Sequence, residues 1–275
     1  MRYVARPPCA PLRDVVEHVW SLRDAPGHAH ERIVPSGTVE LVINLAEDEF
    51  RIYDASKRAR RLPGAIVSGC YRAAFDIDTR EHASIVGVHF KPGGAGALGI
   101  PAGELADSHV SLDALWGRAA GELRERVLAA SPGDRLALVE RALLARRGSY
   151  EERPAVAAAR AVLERPGAAV GDVARMLQLS RRRLIELFHA DVGMTPKRYA
   201  RVHRFQRSLG LAASGRSWAR VALESGYYDQ AHLCREWAEL TGLTPHAVTG
   251  ARKIRVKDHH LALVTSIQDK RAHAG

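Results

Sequence analysis

His232 and Cys234 are the first residues of this 275-residue sequence to suggest chemistry. Both are metal-ligand types, and they stand two apart in "GYYDQAHLCREWAELTGLTP" (226–245), a stretch with helical spacing. On a helix that spacing turns the two side chains about 160 degrees apart, so they cannot share an ion. Gly94, Gly96 and Gly99 in "GAGALG" satisfy a G-x-G-x-x-G pattern after the strand-like "ASIVGVHF". A dinucleotide site would also need a βαβ unit and an acidic residue about 20 positions on. Instead "IPAGEL" interrupts the helix at once and no second parallel strand follows, which reads as a loop with a short helix at the sheet edge. "KPGG" lacks the G-K-[ST] ending, so Lys91 is not a phosphate-loop lysine. His28 and His30, with Glu31 or His89, form another ligand-type set, but a chain with 13 histidines brings such neighbours together by composition. Cys70 in "SGCY" falls on a strand pattern and reads as half-buried packing, whereas a reactive thiol needs an electropositive, accessible setting. No nucleophile, base and orienting group occur together in a recognisable motif. The expectation is therefore no enzyme, no metal and no cofactor. The competing reading is an enzyme or nucleotide-binding protein that uses the 94–99 glycine loop or Cys70, with the helical region as an interaction module.

A different chemistry resides in polar residues on a repeated pair of helices. "VARMLQLSRRRLIELFHADVGMTP" (173–196) lies over "VALESGYYDQAHLCREWAELTGLTP" (221–245). Val173 and Ala174 match Val221 and Ala222 at an offset of 48 residues. Leu184, Phe188, Gly193, Thr195 and Pro196 match Leu233, Trp237, Gly242, Thr244 and Pro245 at an offset of 49, so the second turn holds one extra residue. Each copy is a short helix, a tight turn and a second helix capped by Ser180 or Asp229, which is the layout of a helix-turn-helix. At 100 degrees per residue, Leu184, Leu187 and Phe188 face one way in the first copy, as do Leu233, Trp237 and Leu240 in the second. Opposite them lie Arg182, Glu186 and His189 with Arg183 at the edge, and Ala231, Arg235 and Ala238 with His232 and Glu239. In a major groove Arg reads guanine and Gln reads adenine, each good bidentate pair being worth ~1–3 kcal/mol of discrimination. Gln230, at the start of its helix, is placed to reach a base or a phosphate. Between the copies "TPKRYARVHRFQRSLGLAA" (195–213) reads as one helix, with Thr195 as cap, Pro196 opening it and Val202, Phe205 and Leu209 as its apolar stripe. Arg198, Arg201, Arg204 and Arg207 recur about every third residue, so some should face phosphates while others pair with acids. Two such reading helices on one rigid support can meet successive major-groove faces ~34 Å apart.

The elements that must position these helices divide the chain in two. Domains of roughly 100–200 residues are usual, and 46% hydrophobic residues can fill two cores. "TVELVINL" (38–45), "FRIYD" (50–54), "AIVSGCY" (65–71), "AFDIDT" (74–79) and "ASIVGVHF" (83–90) are short, Val- and Ile-rich and bounded by turn residues, which predicts a half-buried antiparallel sheet. "PLRDVVEHVWSL" (11–22) reads as a short helix running into a strand, and residues 111–130 and 134–147 carry helical spacing. "RRGSYEER" (146–153) reads as the linker, and from Pro154 onward only helices follow. The fold class is α+β: a β-rich domain with flanking helices over 1–148, an all-α double helix-turn-helix domain over 154–250, and a basic tail over 251–275 read as a flexible extension. Trp20, Trp116, Trp218 and Trp237 read as core. Cys9, Cys70 and Cys234 are odd in number and lack a C-x-x-C pair, so reduced thiols are expected. No apolar run approaches the ~20 residues of a membrane span, and the N-terminus lacks a signal-peptide core, which places the protein in the cytoplasm. Of the net charge of +10, residues 1–150 contribute 20 Lys+Arg against 19 Asp+Glu, whereas 151–252 hold 16 against 10 and 253–275 hold 5 against 2. A basic excess that sits in the C-terminal half favours a polyanionic partner, nucleic acid before membrane.

Residues 154–250 resemble the double helix-turn-helix DNA-binding domain of AraC/XylS-type bacterial transcription regulators, and residues 226–245 are close to that family's signature around its second recognition helix. The resemblance implies base contacts from Arg181, Arg182 and Ile185 in the first reading helix and from Gln230, Ala231, His232 and Arg235 in the second, and of the arginines on the linking helix Arg201 is expected on the phosphates. Glu186 stands where the family usually has arginine. A carboxylate accepts from cytosine but repels phosphates, so the first helix reads a different base or contributes little. The N-terminal half, with "IVPSGTVELVINL", "GVHFKPGGAGALGIPAGEL" and "SLDALWG", is similar to a poorly characterised domain attached to one branch of these regulators. That similarity implies a sensor or dimerisation domain, often a small β-barrel in relatives. The implied partners are double-stranded DNA, RNA polymerase, an unidentified small-molecule effector and a second copy of the chain.

Overall fold

Apolar residues at every second position put much of the first 111 residues into strands. The computed structural model describes residues 2–24, 30–54, 56–212, 214–250, 256–257 and 260–262. Its strands are β1 (Arg2–Arg6), β2 (Val16–Arg23), β3 (His30–Ile33), β4 (Glu40–Asn44), β5 (Glu49–Tyr53), β6 (Ala59–Pro63), β7 (Ala65–Ser68), β8 (Phe75–Asp78), β9 (Ser84–Phe90) and β10 (His109–Ser111). They form two antiparallel sheets, one ordered β1-β2-β9-β4-β7-β10 and the other containing β3-β8-β5-β6. The five Val- and Ile-rich segments of the sequence are β4, β5, β7, β8 and β9. "PLRDVVEHVWSL" holds only a 3-10 turn at Ala10–Leu12, and the rest is β2, because Val16, Val19 and Trp20 are buried along its pairing with β9. The glycine loop forms a 3-10 turn at Gly94–Leu98. A Cβ on Gly94 would lie 2.0 Å from the Val15 carbonyl, and one on Gly96 2.0 Å from the Tyr150 ring, so these glycines serve close packing.

The helices are α1 (Leu112–Trp116), α2 (Arg118–Ala129), α3 (Arg135–Arg147), α4 (Pro154–Leu163), α5 (Val170–Met176), α6 (Arg181–Val192), α7 (Pro196–Ala212), α8 (Trp218–Ser225), α9 (Gln230–Thr241) and α10 (Pro245–Gly250). The single helix expected over 111–130 is broken at Gly117, whose φ of 58° and ψ of −143° end α1 and start α2. Beyond α10, β12 (His260–Ala262) pairs antiparallel with β3, and β11 (Val256–Lys257) pairs with β12. This part of the expected flexible tail instead covers the edge of the second sheet. The rest of the tail, and His28, lie outside the described residues.

The main core ignores the division seen in the sequence. One contiguous cluster runs from Val19, Leu41 and Phe90 through Leu123 and Leu143 to Val156, Leu184, Phe188 and Tyr199. The β sheet, α2, α3 and the first helix-turn-helix unit therefore share an interior. The segment between α3 and α4 is fastened along its length: the Tyr150 hydroxyl donates to the Gly93 carbonyl at 2.5 Å, Arg160 pairs with Glu152 at 2.7 Å, and Arg153 pairs with Asp191. The second unit has its own cluster around Phe205, Leu209, Val221, Leu233, Trp237 and Leu240, into which Val34 of the β domain inserts. Phe188→Ala, which empties a fully buried site in the joint core, should cost about 3–5 kcal/mol and lower the melting of β and helical signals together. Calorimetry showing two transitions, with the β transition unmoved, would disprove a shared interior.

Candidate nucleic-acid interface

The apolar faces of α6 and α9 explain where their polar residues go. Leu184 and Phe188 in α6, and Leu233, Trp237 and Leu240 in α9, are buried at 0–2% exposure, while Leu187 is half-buried. Burying these large side chains at i, i+3, i+4 and i+7 turns the opposite arc of each helix outward. The starts are set by side-chain caps: Ser180 accepts from the Arg183 amide at 3.1 Å and Asp229 from the His232 amide at 2.6 Å. Gly193 and Gly242 end the two helices with φ of 84° and 70°, the left-handed cap that glycine adopts without strain. The turns therefore present the amino-terminal halves of α6 and α9 as equivalent surfaces.

On α6, Arg181, Arg182, Arg183, Ile185 and Glu186 are all exposed. Glu186 accepts from Arg182 at 2.9 Å, one helical turn earlier, and lies 3.6 Å from Arg183. The hydrogen bond from Arg182 holds the Glu186 carboxyl below its usual range and raises the guanidinium of Arg182. The acid expected to oppose phosphates thus sits inside an arginine pair, with its charge balanced on the helix itself. His189 is exposed on the outward arc as expected, with its ring beside Gly103 of the β domain.

On α9, Gln230, Ala231 and Arg235 are exposed and His232 is half-buried. The His232 ring stands edge-on to Tyr227 at 5.2 Å, and its Nε2 lies 4.0 Å from Glu236. Cys234 is half-buried beside the second apolar cluster, on the other side of the helix. Among the described residues no three His, Cys, Asp or Glu side chains gather as metal ligands. The sequence reading missed Tyr228, which is 92% exposed immediately before the Asp229 cap. Its signal was available: two successive tyrosines cannot both face the core at a helix start.

The α7 arginines pair within the protein, as the sequence allowed for some of them. Arg201 pairs with Glu236 at 2.9 Å and with Glu239, so it braces α9 against α7. Arg204 grips both oxygens of Glu236, at 3.1 and 2.6 Å, with its guanidinium 4.9 Å from the Tyr227 ring centroid. Arg207 donates to the Ser225 carbonyl at 3.1 Å and to that of Glu164, and Arg198 lies 3.7 Å from Asp107. Glu236, 4% exposed, is the hub that the sequence reading passed over. It occupies a position on the inward arc between Leu233 and Trp237, where an acid needs buried cations to face.

The β domain holds the far ends of both reading helices. The Cys70 thiol donates to the Val192 carbonyl at 3.0 Å, at the end of α6. Burial, reinforced by Asp107, pushes that thiol up to about 12, so it stays protonated and unreactive. At the end of α9, the Ala74 amide donates to the Leu240 carbonyl at 2.9 Å and Arg32 donates to the Thr241 carbonyl at 3.0 Å. Arg32 is itself fixed by Asp76 at 2.7 and 2.9 Å, and Lys57 also pairs with Asp76. Burial alone would raise the Asp76 carboxyl, but Arg32 and Lys57 outweigh it and hold the group below its ordinary 3.8.

Residues 173–250 match the family model described as a helix-turn-helix domain, and residues 5–111 match one described as a domain of unknown function, DUF6597. No curated protein matches significantly. Among solved structures, fatty-acid-bound ToxT from Vibrio cholerae is 10% identical, with 92% of this chain and 100% of that chain covered at a TM-score of 0.42. The C-terminal domain of AraT, a response regulator from Geobacillus stearothermophilus, is 20% identical, with 39% of this chain and 94% of that one covered at 0.35. A probable AraC family transcriptional regulator from Rhodopseudomonas palustris is 22% identical, with coverage of 37% and 100% at 0.32. No helix among the described residues is long and apolar enough to cross a membrane.

Asp76 allows a test of the hold on α9. A carboxyl depressed in the folded state contributes stability that is complete above its unfolded pKa and is lost as pH falls through its folded one. Asp76→Asn should therefore cost roughly 2–3 kcal/mol at neutral pH and flatten the acid limb of the stability profile below 3.8. Denaturant titrations across pH 2–7 that give parallel curves for both proteins would refute this role.

Proposed function

We propose that the chain is a helix-turn-helix transcription regulator of the AraC/XylS type and that α6 and α9 enter successive major grooves of one DNA duplex. The observation that carries this reading is the duplicated unit itself: two capped helices, each with a buried apolar arc and an exposed polar arc, braced on one long helix. Base contacts come from Arg181, Arg182 and Ile185 on α6 and from Gln230, Ala231, His232 and Arg235 on α9. Glu186 has a different part from the one its charge suggests. By pairing with Arg182 it fixes the direction of that guanidinium, and either side chain of the pair then meets a base edge.

Arg201 acts on DNA through α9, which it orients by way of Glu236. Phosphate contacts fall instead to the helix starts and to exposed groups beside them, such as Tyr228 and Arg183. Residues 1–148 form the regulatory unit and residues 154–250 the reading unit, with control exercised through the contacts at the ends of α6 and α9. The partners are double-stranded DNA, RNA polymerase, a small-molecule effector and a second copy of the chain, and the site of action is the cytoplasm.

Binding sites selected from a random DNA pool supply the sequence needed for two tests. Arg235→Ala should lose about 1–3 kcal/mol of preference at a single base pair and little elsewhere. Arg201→Ala should weaken all sequences alike and lower the melting temperature, with the slope of log K against log salt unchanged; a slope smaller by about 1 would return Arg201 to the phosphates. Glu186→Ala, which releases two arginines, should steepen the same salt dependence, and an unchanged slope would mean that α6 stands clear of the duplex.

A further inference from the structure

We infer that the β5–β6 hairpin is a phosphate-binding arm that lies along the DNA beyond the grooves entered by α6 and α9. The inference rests on the DNA-reading role proposed above and adds to it a second contact surface, contributed by the domain otherwise assigned to regulation. Residues 1–150 hold 20 Lys+Arg against 19 Asp+Glu, yet "KRARR" (57–61) places four cations in five positions. Lys57, Arg58, Arg60 and Arg61 are all exposed. A concentrated basic run on a surface is the electrostatic footprint of a polyanion.

Pairing within the protein leaves much of this charge over. Lys57 shares Asp76 with Arg32, and Arg61 shares Glu49 with Arg51, so each of these carboxylates faces two cations. Arg60 donates to a neutral acceptor, the His109 carbonyl, at 3.5 Å, and Arg58 has no ion pair among the described residues. The acid of the turn, Asp54, shapes the backbone: its Oδ1 accepts from the amides of Ser56 and Arg58 at 2.8 and 3.0 Å. The Lys57 amide donates to the Asp54 carbonyl at 2.9 Å, and Lys57 takes a φ of 60°. These bonds fix the turn from which Arg58 projects into solvent.

The tip of the hairpin stands at the end of the β domain that carries the reading unit. Tyr53, where β5 enters the turn, is opposite Asp76, and the nearby Ala74 amide donates to the Leu240 carbonyl of α9. Through Asp76, Lys57 is one link from Arg32, which donates to the Thr241 carbonyl at the end of α9. α9 has 12 residues and a length of about 18 Å, so the tip lies within roughly one duplex turn, ~34 Å, of the groove that its start would enter. Continuity with the reading unit favours the duplex over an acidic protein as the partner. A membrane surface would call for large apolar groups at the tip, where Asp54, Ser56, Lys57 and Arg58 stand instead.

The test uses the whole chain and three duplexes: the selected site trimmed to the two grooves, and that site lengthened by about 10 bp of arbitrary sequence on one side or on the other. The base pair at which Arg235→Ala loses preference marks the α9 side. Fluorescence anisotropy across a range of salt should show that lengthening on this side raises affinity about tenfold at about 50 mM salt and steepens the slope of log K against log salt by about 2. Lengthening on the α6 side should do neither. The double variant Arg58→Ala/Arg60→Ala should bind the trimmed duplex like the unaltered chain, with the same base preference, and lose both gains. Arg58→Lys/Arg60→Lys, which keeps the charge, should retain them, and melting midpoints verify that both variants fold. No gain from lengthening on the α9 side, or a gain that survives the alanine variant, overturns the inference and leaves the arm to an acidic protein. If the trimmed site is bound selectively without any such gain, the arm falls and the regulator reading stands. If no DNA sequence is preferred, the regulator reading falls and the arm with it.

Discussion

A carboxylate in a protein interior is tolerated only where cations and donors replace its lost water. Glu236 is such a group, and the set of the second reading helix depends on it. Arg201 and Arg204 approach from α7 and fill its oxygens, while Tyr227 covers Arg204 from the other side. Packing of Trp237 on Phe205 brings α9 against α7, but apolar contact alone permits sliding. Planar guanidinium groups on a planar carboxylate do not, because the hydrogen bonds are directional. The ion cluster thus fixes the rotation of α9 about its own axis, and with it the outward direction of Gln230 and Arg235. Trp237 adds a second directional contact, donating its indole N–H to Ser208 at 2.7 Å.

The first reading helix is located by different means. Its inward face merges with the interior of the β domain, and its end is held by Cys70 and by the close approach of Ala102 and Gly103. Two reading helices of common design therefore have unequal attachments. α6 is built into a large continuous core, whereas α9 rests on α7, a smaller cluster and a few polar bonds from Arg32 of β3 and from Ala74. The smaller, more polar attachment is the one with less apolar area to separate, and it is where a modest free-energy input produces displacement.

The helical half was legible because its signals are local and repeated. Apolar spacing, Ser180 and Asp229 as caps, and Gly193 and Gly242 as stops are read from neighbours a few residues apart, and the duplication presents each of them twice. In the β half, strands rich in Val and Ile were legible too. β6, "ARRLP", was not, since only Leu62 is buried and its partners come from β5. β3, "HERI", is equally polar, and its Arg32 is used at the domain boundary, on Asp76 and the Thr241 carbonyl. The Arg201–Glu236 pair was hidden for a related reason: a basic residue on a helix has the same appearance whether it meets phosphate or a carboxylate from 35 positions away. The common interior of the two halves was likewise hidden, because a polar connecting segment suggests separation and its bonds to Gly93 and Asp191 are long-range.

The pairing of β12 with β3 has a mechanical meaning. The polypeptide leaves the β domain through α3, traverses both helix-turn-helix units and returns to the same domain as an added strand. The reading unit is thereby tethered at both of its ends, like a handle riveted twice to one plate, and not hung from a single hinge. Free swinging, with its large orientational entropy, is excluded for such a handle; twist and shear between the rivets remain. Motions of that kind alter the angle between α6 and α9 by small amounts, and under the proposed reading small angles would suffice to make one helix miss its groove while the other still engages.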